Sequence, residues 1–244
     1  MTRAVAALGD INIDLVLEID RYPSPGEEAF ARGRQTRLGG SATNTAVTLA
    51  RLGLATRMLA RVGADEFADR ALRDLTGAGV GIDCVQRDPA LPTGLNMVLV
   101  DEHGERTMVG VRGANAAYEA DPNWEGEARW LHVSGYALLE EPQRGAARSA
   151  LSAAADRGIP ASIDIPSGVG HRIGKELFSH LDGTTILSVG AGTLREVAGI
   201  GAVDLLQAGV SQVAITAGAD RFRILSAAVD LSLTPPDVEV VDTT

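Results

Sequence analysis

The chain has one cysteine, Cys84, in 244 residues, so no intrachain disulfide can form and nothing points to an oxidising compartment. Cys84 reads as a core thiol of a cytoplasmic protein. No apolar run approaches the roughly 20 residues of a membrane-spanning helix. The first ten residues reach Gly9 and Asp10 before a secretory apolar stretch can form. A soluble chain that is not exported is the expectation. Positive charge is also scarce, with 22 Lys and Arg against 32 Asp and Glu and a formal net charge of -10. That opposes broad contact with a nucleic-acid backbone, which takes a basic face. It does not oppose a single nucleotide, because amides at a helix start can hold phosphates. There is no internal repeat and no long linker. His103, His132, His171 and His180 are scattered without ligand spacing, so no metal cage is expected.

What is present alternates. Val5 to Leu8 is a short apolar run closed by Gly9-Asp10, the form of a buried parallel strand. Further strands are predicted near Arg57–Val62, Trp130–Ser134, Ala161–Asp164, Thr185–Ser188 and Gln212–Thr216. Amphipathic helices are predicted near Ala42–Leu52, Glu66–Thr76, Pro142–Asp156 and Val203–Ala208. Such repetition implies a parallel sheet covered by helices on both faces. Ile11 to Ile19 differs, because Ile11, Ile13, Leu15, Leu17 and Ile19 alternate with Asn12, Asp14, Val16 and Glu18 as in a strand with one wet face. Asn96–Val100 and Arg106–Val111, joined by Asp101-Glu102-His103-Gly104, read as a hairpin. One α/β domain over 1–244 is expected, with a small lid sheet from segments at about 11–37 and 93–113.

Leu38-Gly39-Gly40-Ser41-Ala42-Thr43-Asn44-Thr45-Ala46 sets a glycine pair at a helix start. Glycine lets a ligand approach the backbone, first-turn amides can donate to hydroxyls, and Asn44 offers a donor and an acceptor. Polyhydroxylated ligands suit that arrangement, although a glycine pair by itself is more often a plain strand-to-helix turn. Gly77-Ala78-Gly79-Val80-Gly81 follows a predicted helix instead of a strand and reads as a helix end. Gly174-Lys175 fails as a phosphate loop, since Val169 and Glu176 replace its first glycine and its Ser/Thr.

The spacing of Gly39, Gly40, Ala42, Asn44, Ala46, Gly53 and Gly63 resembles the first signature of the PfkB, or ribokinase-like, carbohydrate kinases. Gly9 to Asp14, Val62 to Phe67, Thr93-Gly94, Gly104 to Thr107, Gly113-Ala114-Asn115 and His132 to Tyr136 extend the resemblance, in order, over almost the whole chain. It implies a ribokinase-like three-layer fold with a β lid. It also implies phosphorylation of a hydroxyl of a sugar or sugar-like substrate by ATP with Mg2+. Asp14, Gly39, Gly40 and Asn44 then resemble the sugar cradle, and Glu140 a further sugar contact. A helix-start acid favoured by the dipole explains Glu140 equally well. Thr216 and Gly218, in Ala214–Gly218, resemble the segment lining the ATP phosphates. Gly113-Ala114-Asn115 and Glu140 lean toward a pentose, and the resemblance further implies a homodimer through the lid.

Two departures accompany the match. Where the family carries Asn-x-x-Glu, which orders phosphates and magnesium, this chain has Gly190-Ala191-Gly192-Thr193. Thr193 cannot replace a carboxylate that tunes a metal's water shell. Val240-Val241-Asp242-Thr243-Thr244 resembles the start of the second signature, whose continuation supplies anion-hole glycines and the aspartate that takes the hydroxyl's proton. The expectation is a fold lacking its C-terminal part, with the general base beyond Thr244. Asp242 is then expected at the sugar, and Asp242 with Thr244 beside a monovalent cation such as K+. The function classes left open are a sugar kinase, a nucleoside kinase, and a catalytically silent sugar-binding protein on the same fold.

Overall fold

The computed structural model describes residues 4–167, 169–173, 181, 183–196 and 201–237. The apolar run Ala4–Leu8 forms β1, and all of it is buried. Its neighbour Asn12–Glu18 (β2) turns away into a second sheet, joined by Gly33–Gly39 (β3), Gly94–Val100 (β7) and Arg106–Val111 (β8) in the order β3-β2-β7-β8. Gly33–Gly39 reads as polar and carries no strand signal. It becomes a strand because β2 offers an antiparallel partner along its whole length, Asn12 opposite Gly39 through Glu18 opposite Gly33.

Between the two halves of that small sheet run helix Ser41–Arg51 (α1), strand Thr56–Val62 (β4), helix Glu66–Gly77 (α2) and the short strands Val80–Gly81 (β5) and Val85–Arg87 (β6). The helix end read at Gly77 is there, and the chain turns through Ala78 and Gly79, at φ 84, into the short strand β5. After β8 come Ala128–Ser134 (β9), helix Gln143–Asp156 (α3), Ala161–Ile165 (β10), helix Gly170–Ile173 (α4) and Thr184–Gly190 (β11). Helices Ala191–Glu196 (α5) and Ala202–Gln207 (α6) follow, then strands Gln212–Thr216 (β12), Phe222–Ser226 (β13) and Asp230–Leu233 (β14). Strand order in the large sheet is β14-β13-β12-β11-β10-β9-β1-β4-β5, with β6 also paired to β4.

Alternate residues of the central strands feed two apolar clusters, because successive side chains point to opposite faces. Ala7, Met58 and Ala60 pack beneath α1 and α2, whereas Ala6, Leu8, Leu59 and Leu131 pack beneath α3. The parallel expectation holds from β5 to β12, but β13 and β14 pair antiparallel and make the sheet mixed. The reason is local: a turn through Ala217–Asp220 returns the chain at once, whereas a parallel partner would need a crossover. Arg223 and Asp230 form an ion pair at 2.6 Å between these two outer strands.

Strand β1 has β4 on one side and β9 on the other, so the strand order reverses there. Open α/β sheets collect ligands at such a point, beyond the carboxyl ends of the strands. Asp10 follows β1, Tyr136 follows β9 and Pro166 follows β10, and all three line one large cavity. Asp65 ties the lid to this body. It caps α2 through Ala68 N at 2.9 Å and accepts from Thr93 N at 2.8 Å and Thr93 Oγ1 at 2.6 Å, just before β7. Burial works against its charge, yet the hydrogen bonds from Thr93 and Ala68 win and hold its carboxyl below the usual range.

Candidate functional site

The cavity between the two sheets has a volume of about 1280 Å³. Its roof is the even-numbered face of β2, namely Asn12, Asp14 and Val16, with Asn96, Val98, Met108 and Gly110 beside them. The alternation of Ile11 to Ile19 had marked this face as wet. It is wet toward the cavity, not toward bulk solvent, and Val16 is buried.

Asp14 sits in a row across the lid. Its register partners are Arg37 on β3 and Asn96 on β7, and Asn96 in turn faces Gly110 on β8. Asn96 Nδ2 donates to Asp14 Oδ1 at 2.8 Å. Burial raises the Asp14 pKa, and the Asn96 bond and nearby Arg37 only partly offset it. One carboxylate oxygen is thereby fixed, leaving acceptor capacity for hydroxyl groups.

The glycines shape this row from behind. A methyl group added at Gly39 would fall inside van der Waals contact of the Asp14 carboxylate, and one at Gly110 against Asn96 Oδ1. Gly40 answers a different constraint. Its φ is 108, and any side chain would meet the Asp10 carbonyl, which also accepts from Thr43 Oγ1 at 2.9 Å. The pair was expected to let a ligand approach the backbone. Both glycines admit neighbouring protein groups, and Gly40, unlike Gly39, also lines the cavity.

The floor is α1. Gly40 at its N-cap supplies no side-chain cap, so first-turn amides keep donor capacity. Asn44, exposed on the cavity side, has no side-chain partner among the described residues. Ser41 Oγ donates to Asp164 Oδ2 at 3.3 Å, and burial raises the pKa of Asp164 despite bonds from Ser188 and Ser41. At the lid root, Asn115 is fully buried. It accepts from Ile11 N at 2.9 Å and donates to Ile11 O at 3.1 Å and Asn12 Oδ1 at 2.8 Å, in space left by Gly94.

Of the remaining expected residues, Glu140 is not among those lining the cavity. It pairs at 3.2 Å with Arg172, which does line it. Thr216 ends β12 opposite Gly190 of β11, away from the cavity, and Gly218 follows at φ 62 with open space around its Cα. Asp242 and Thr244 lie outside the described residues. Asn96, Gly110, Arg112 and Asp164 were not singled out from the sequence. Asn96 carries a legible signal, a lone amide within the apolar run Leu95 to Val100. Gly110 became visible only through strand register, and Arg112 and Asp164 only through side-chain contacts of the folded chain. Among the described residues no cluster of three metal-ligating side chains occurs, and no helix is long and apolar enough to cross a membrane.

A profile of the pfkB family carbohydrate kinases matches residues 2–244. The chain belongs to this family. Its similarity to individual family proteins is moderate: it is 31% identical over 172 residues to an ATP-dependent ribose-1-phosphate kinase of Halopiger xanaduensis, covering 70% of this chain and 57% of that one. To a ribokinase of Arabidopsis thaliana it is 28% identical over 182 residues, covering 73% and 48%. The chain thus spans about half the length of the curated relatives it matches. In three dimensions it resembles Arabidopsis thaliana ribokinase complexed with ribose and ATP, at a TM-score of 0.82 and 23% identity, over 100% of this chain and 82% of that one. The ribokinase-like α/β fold with its small lid sheet is therefore shared.

Proposed function

We propose that this pfkB-family chain binds a sugar-like polyol between lid and α1, and that the protein it represents transfers a phosphoryl group from ATP to one hydroxyl of that ligand. The observation carrying this reading is the Asp14–Asn96 pair facing Asn44, whose side chain has no partner among the described residues, and the uncapped start of α1 across the cavity. A half-buried carboxylate with one oxygen pinned, opposite free amide groups, matches the alternating donors and acceptors of a polyol.

The nucleotide belongs at the adjoining strand ends. Thr216 offers an exposed hydroxyl, and Gly218 leaves its backbone open to phosphates. Mg2+ suits such a site without a protein cage, because it is commonly held by one or two carboxylates, substrate phosphates and water. Bound there it would neutralise charge on the transferring phosphoryl group. Asp242 and Thr244 remain our assignment for the sugar and a K+-like ion. Strand β8, exposed along its whole length and carrying Met108, Val109 and Val111, is our assignment for a lid-to-lid homodimer.

A second reading is favoured by Gly190 and Thr193, which replace an amide and a carboxylate: a sugar-binding protein without transferase activity. One experiment separates the two. Calorimetry across pentoses, hexoses and nucleosides, with ADP release followed on the full-length protein that this chain represents, supports the kinase if a bound sugar stimulates release. Binding without release supports the silent protein. Absence of any binding removes both.

A further inference from the structure

The cavity wall also bears on the charge of the ligand. Five arginines line it, Arg37, Arg51, Arg106, Arg112 and Arg172, in a chain whose net charge is -10. Arg172 is answered by Glu140, and Arg112 by Asp10. Arg51 and Arg106 meet no acid among the described residues.

Arg112 is held more rigidly than the rest. Its Nε lies 3.2 Å from Asp10 Oδ2, and its Nη2 lies 2.9 and 3.1 Å from the two Asp10 oxygens. Nη2 also donates to Gln143 Oε1, while Gln143 Nε2 donates back to Asp10 Oδ1 at 2.9 Å. Asp10 belongs to the β1–β2 junction and Gln143 to the first turn of α3, so both fixed elements aim the guanidinium. Its Nη1 is withdrawn from water and has no acceptor among the described residues. A buried donor left unmatched is costly, and beside a cavity that its own side chain lines it favours a partner supplied from outside.

We propose that the ligand is an anionic sugar derivative, with a carboxylate or phosphate remote from the hydroxyl to be phosphorylated, and that Arg112 receives that anion. Arg112 follows β8 two residues beyond Gly110, the position opposite Asn96 in the Asp14 row, so the anion site adjoins the cradle. An oxyanion gives Nη1 its missing acceptor in the geometry a guanidinium favours, whereas a neutral hydroxyl gives a weaker one. The unanswered Arg51 and Arg106 add positive potential along the same cavity and draw such a ligand in.

This inference rests on the sugar-binding reading, and the test separates the two. The chain is titrated calorimetrically with matched sets, each a neutral sugar, its sugar acid and its phosphate ester, at low and high salt, and with ATP alone. At least one anion is expected to bind about tenfold or more tightly than its neutral parent, with the gap shrinking in salt. The acid and ester arms identify which anion it is. Arg112→Lys, checked by its melting curve, is expected to lose about tenfold on the anion while changing the neutral parent by about twofold at most. Equal binding of neutral and anionic sugars overturns the anion assignment and leaves the sugar site standing. Weakening of ATP alone by Arg112→Lys overturns it as well. Binding of no sugar overturns both. The panel on the unmutated chain decides the question even where the variant fails to fold.

Discussion

The carboxylate of Asp14 is pinned at 2.8 Å by Asn96, its register partner on the neighbouring lid strand. Burial lifts the Asp14 pKa above its ordinary 3.8, so the folded state takes up a proton more readily than the unfolded chain. The stabilisation from protonation is complete below pH 3.8 and is lost as pH rises through the raised value. Asp14→Asn is therefore expected to melt higher than the parent at neutral pH, with the advantage vanishing toward pH 3.8. Ligand binding should move the other way. The variant is expected to lose about 10- to 100-fold in sugar affinity, the range of a lost charge-assisted bond. The parent should lose affinity on acidification before an ordinary aspartate would titrate. Calorimetry and melting curves at neutral and acid pH check both. Unchanged affinity in Asp14→Asn would remove Asp14 from the site.

The neighbouring glycines should separate function from stability. Gly39→Ala pushes on the far end of the Asp14 side chain, which can swing aside at the expense of its bond to Asn96, so binding should fall about as far as in an Asp14 variant, at less than about 1.5 kcal/mol in stability. Gly40→Ala meets the backbone carbonyl of Asp10 at φ 108, where neither side can yield. A loss of about 2–4 kcal/mol is expected there, from strain at a position only glycine tolerates and displacement of the β1–β2 junction. Urea unfolding beside sugar titration distinguishes the two patterns.

His132 should make the sheet acid-sensitive. It is buried with Nδ1 at 3.0 Å from Ser162 Oγ, which itself accepts from Trp130 Nε1 at 2.9 Å. Nδ1 and Ser162 Oγ share one hydrogen bond, and Nε2 is left without a partner among the described residues. Desolvation pulls the pKa down from 6.5 to about 4. The unfolded chain binds the extra proton first, so stability falls as pH drops between these values, by up to about 1.4 kcal/mol per pH unit. His132→Leu is expected to flatten that slope in urea unfolding at graded pH. An identical slope in both proteins would assign the acid sensitivity to other groups.

Asp65 should couple helix and lid. Asp65→Ala removes the α2 cap and leaves the buried Thr93 N–H unmatched, for an expected loss of about 1–3 kcal/mol. Because its folded pKa is depressed, its contribution is present above pH 3.8 and is lost as pH falls through the lowered value. Unfolding of parent and variant should therefore converge in acid. A constant difference down to low pH would show that packing, not the charged cap, is what Asp65 supplies.

Much of this protein was legible as one-dimensional pattern. The strands β1, β4, β9, β10, β11 and β12 and the helices α1, α2, α3 and α6 follow from apolar runs and helical spacing, because buried parallel strands and amphipathic helices write their burial into local sequence. The same spacing around Gly39, Gly40 and Asn44 identified the family, and the alternation around Asp14 marked one face of the lid.

What pairing decides was not legible. Gly33–Gly39 is a strand only because β2 lies beside it, and β13 and β14 turn the sheet mixed through a short return that no periodicity announces. Asn96 and Gly110 join Asp14 through register across residues 14, 96 and 110. Arg112 reaches Asp10 and Gln143 across sequence separations of 102 and 31. A sequence pattern records which face a residue takes. Which distant residue shares that face depends on strand order and register, and these are settled by the chain packing against itself.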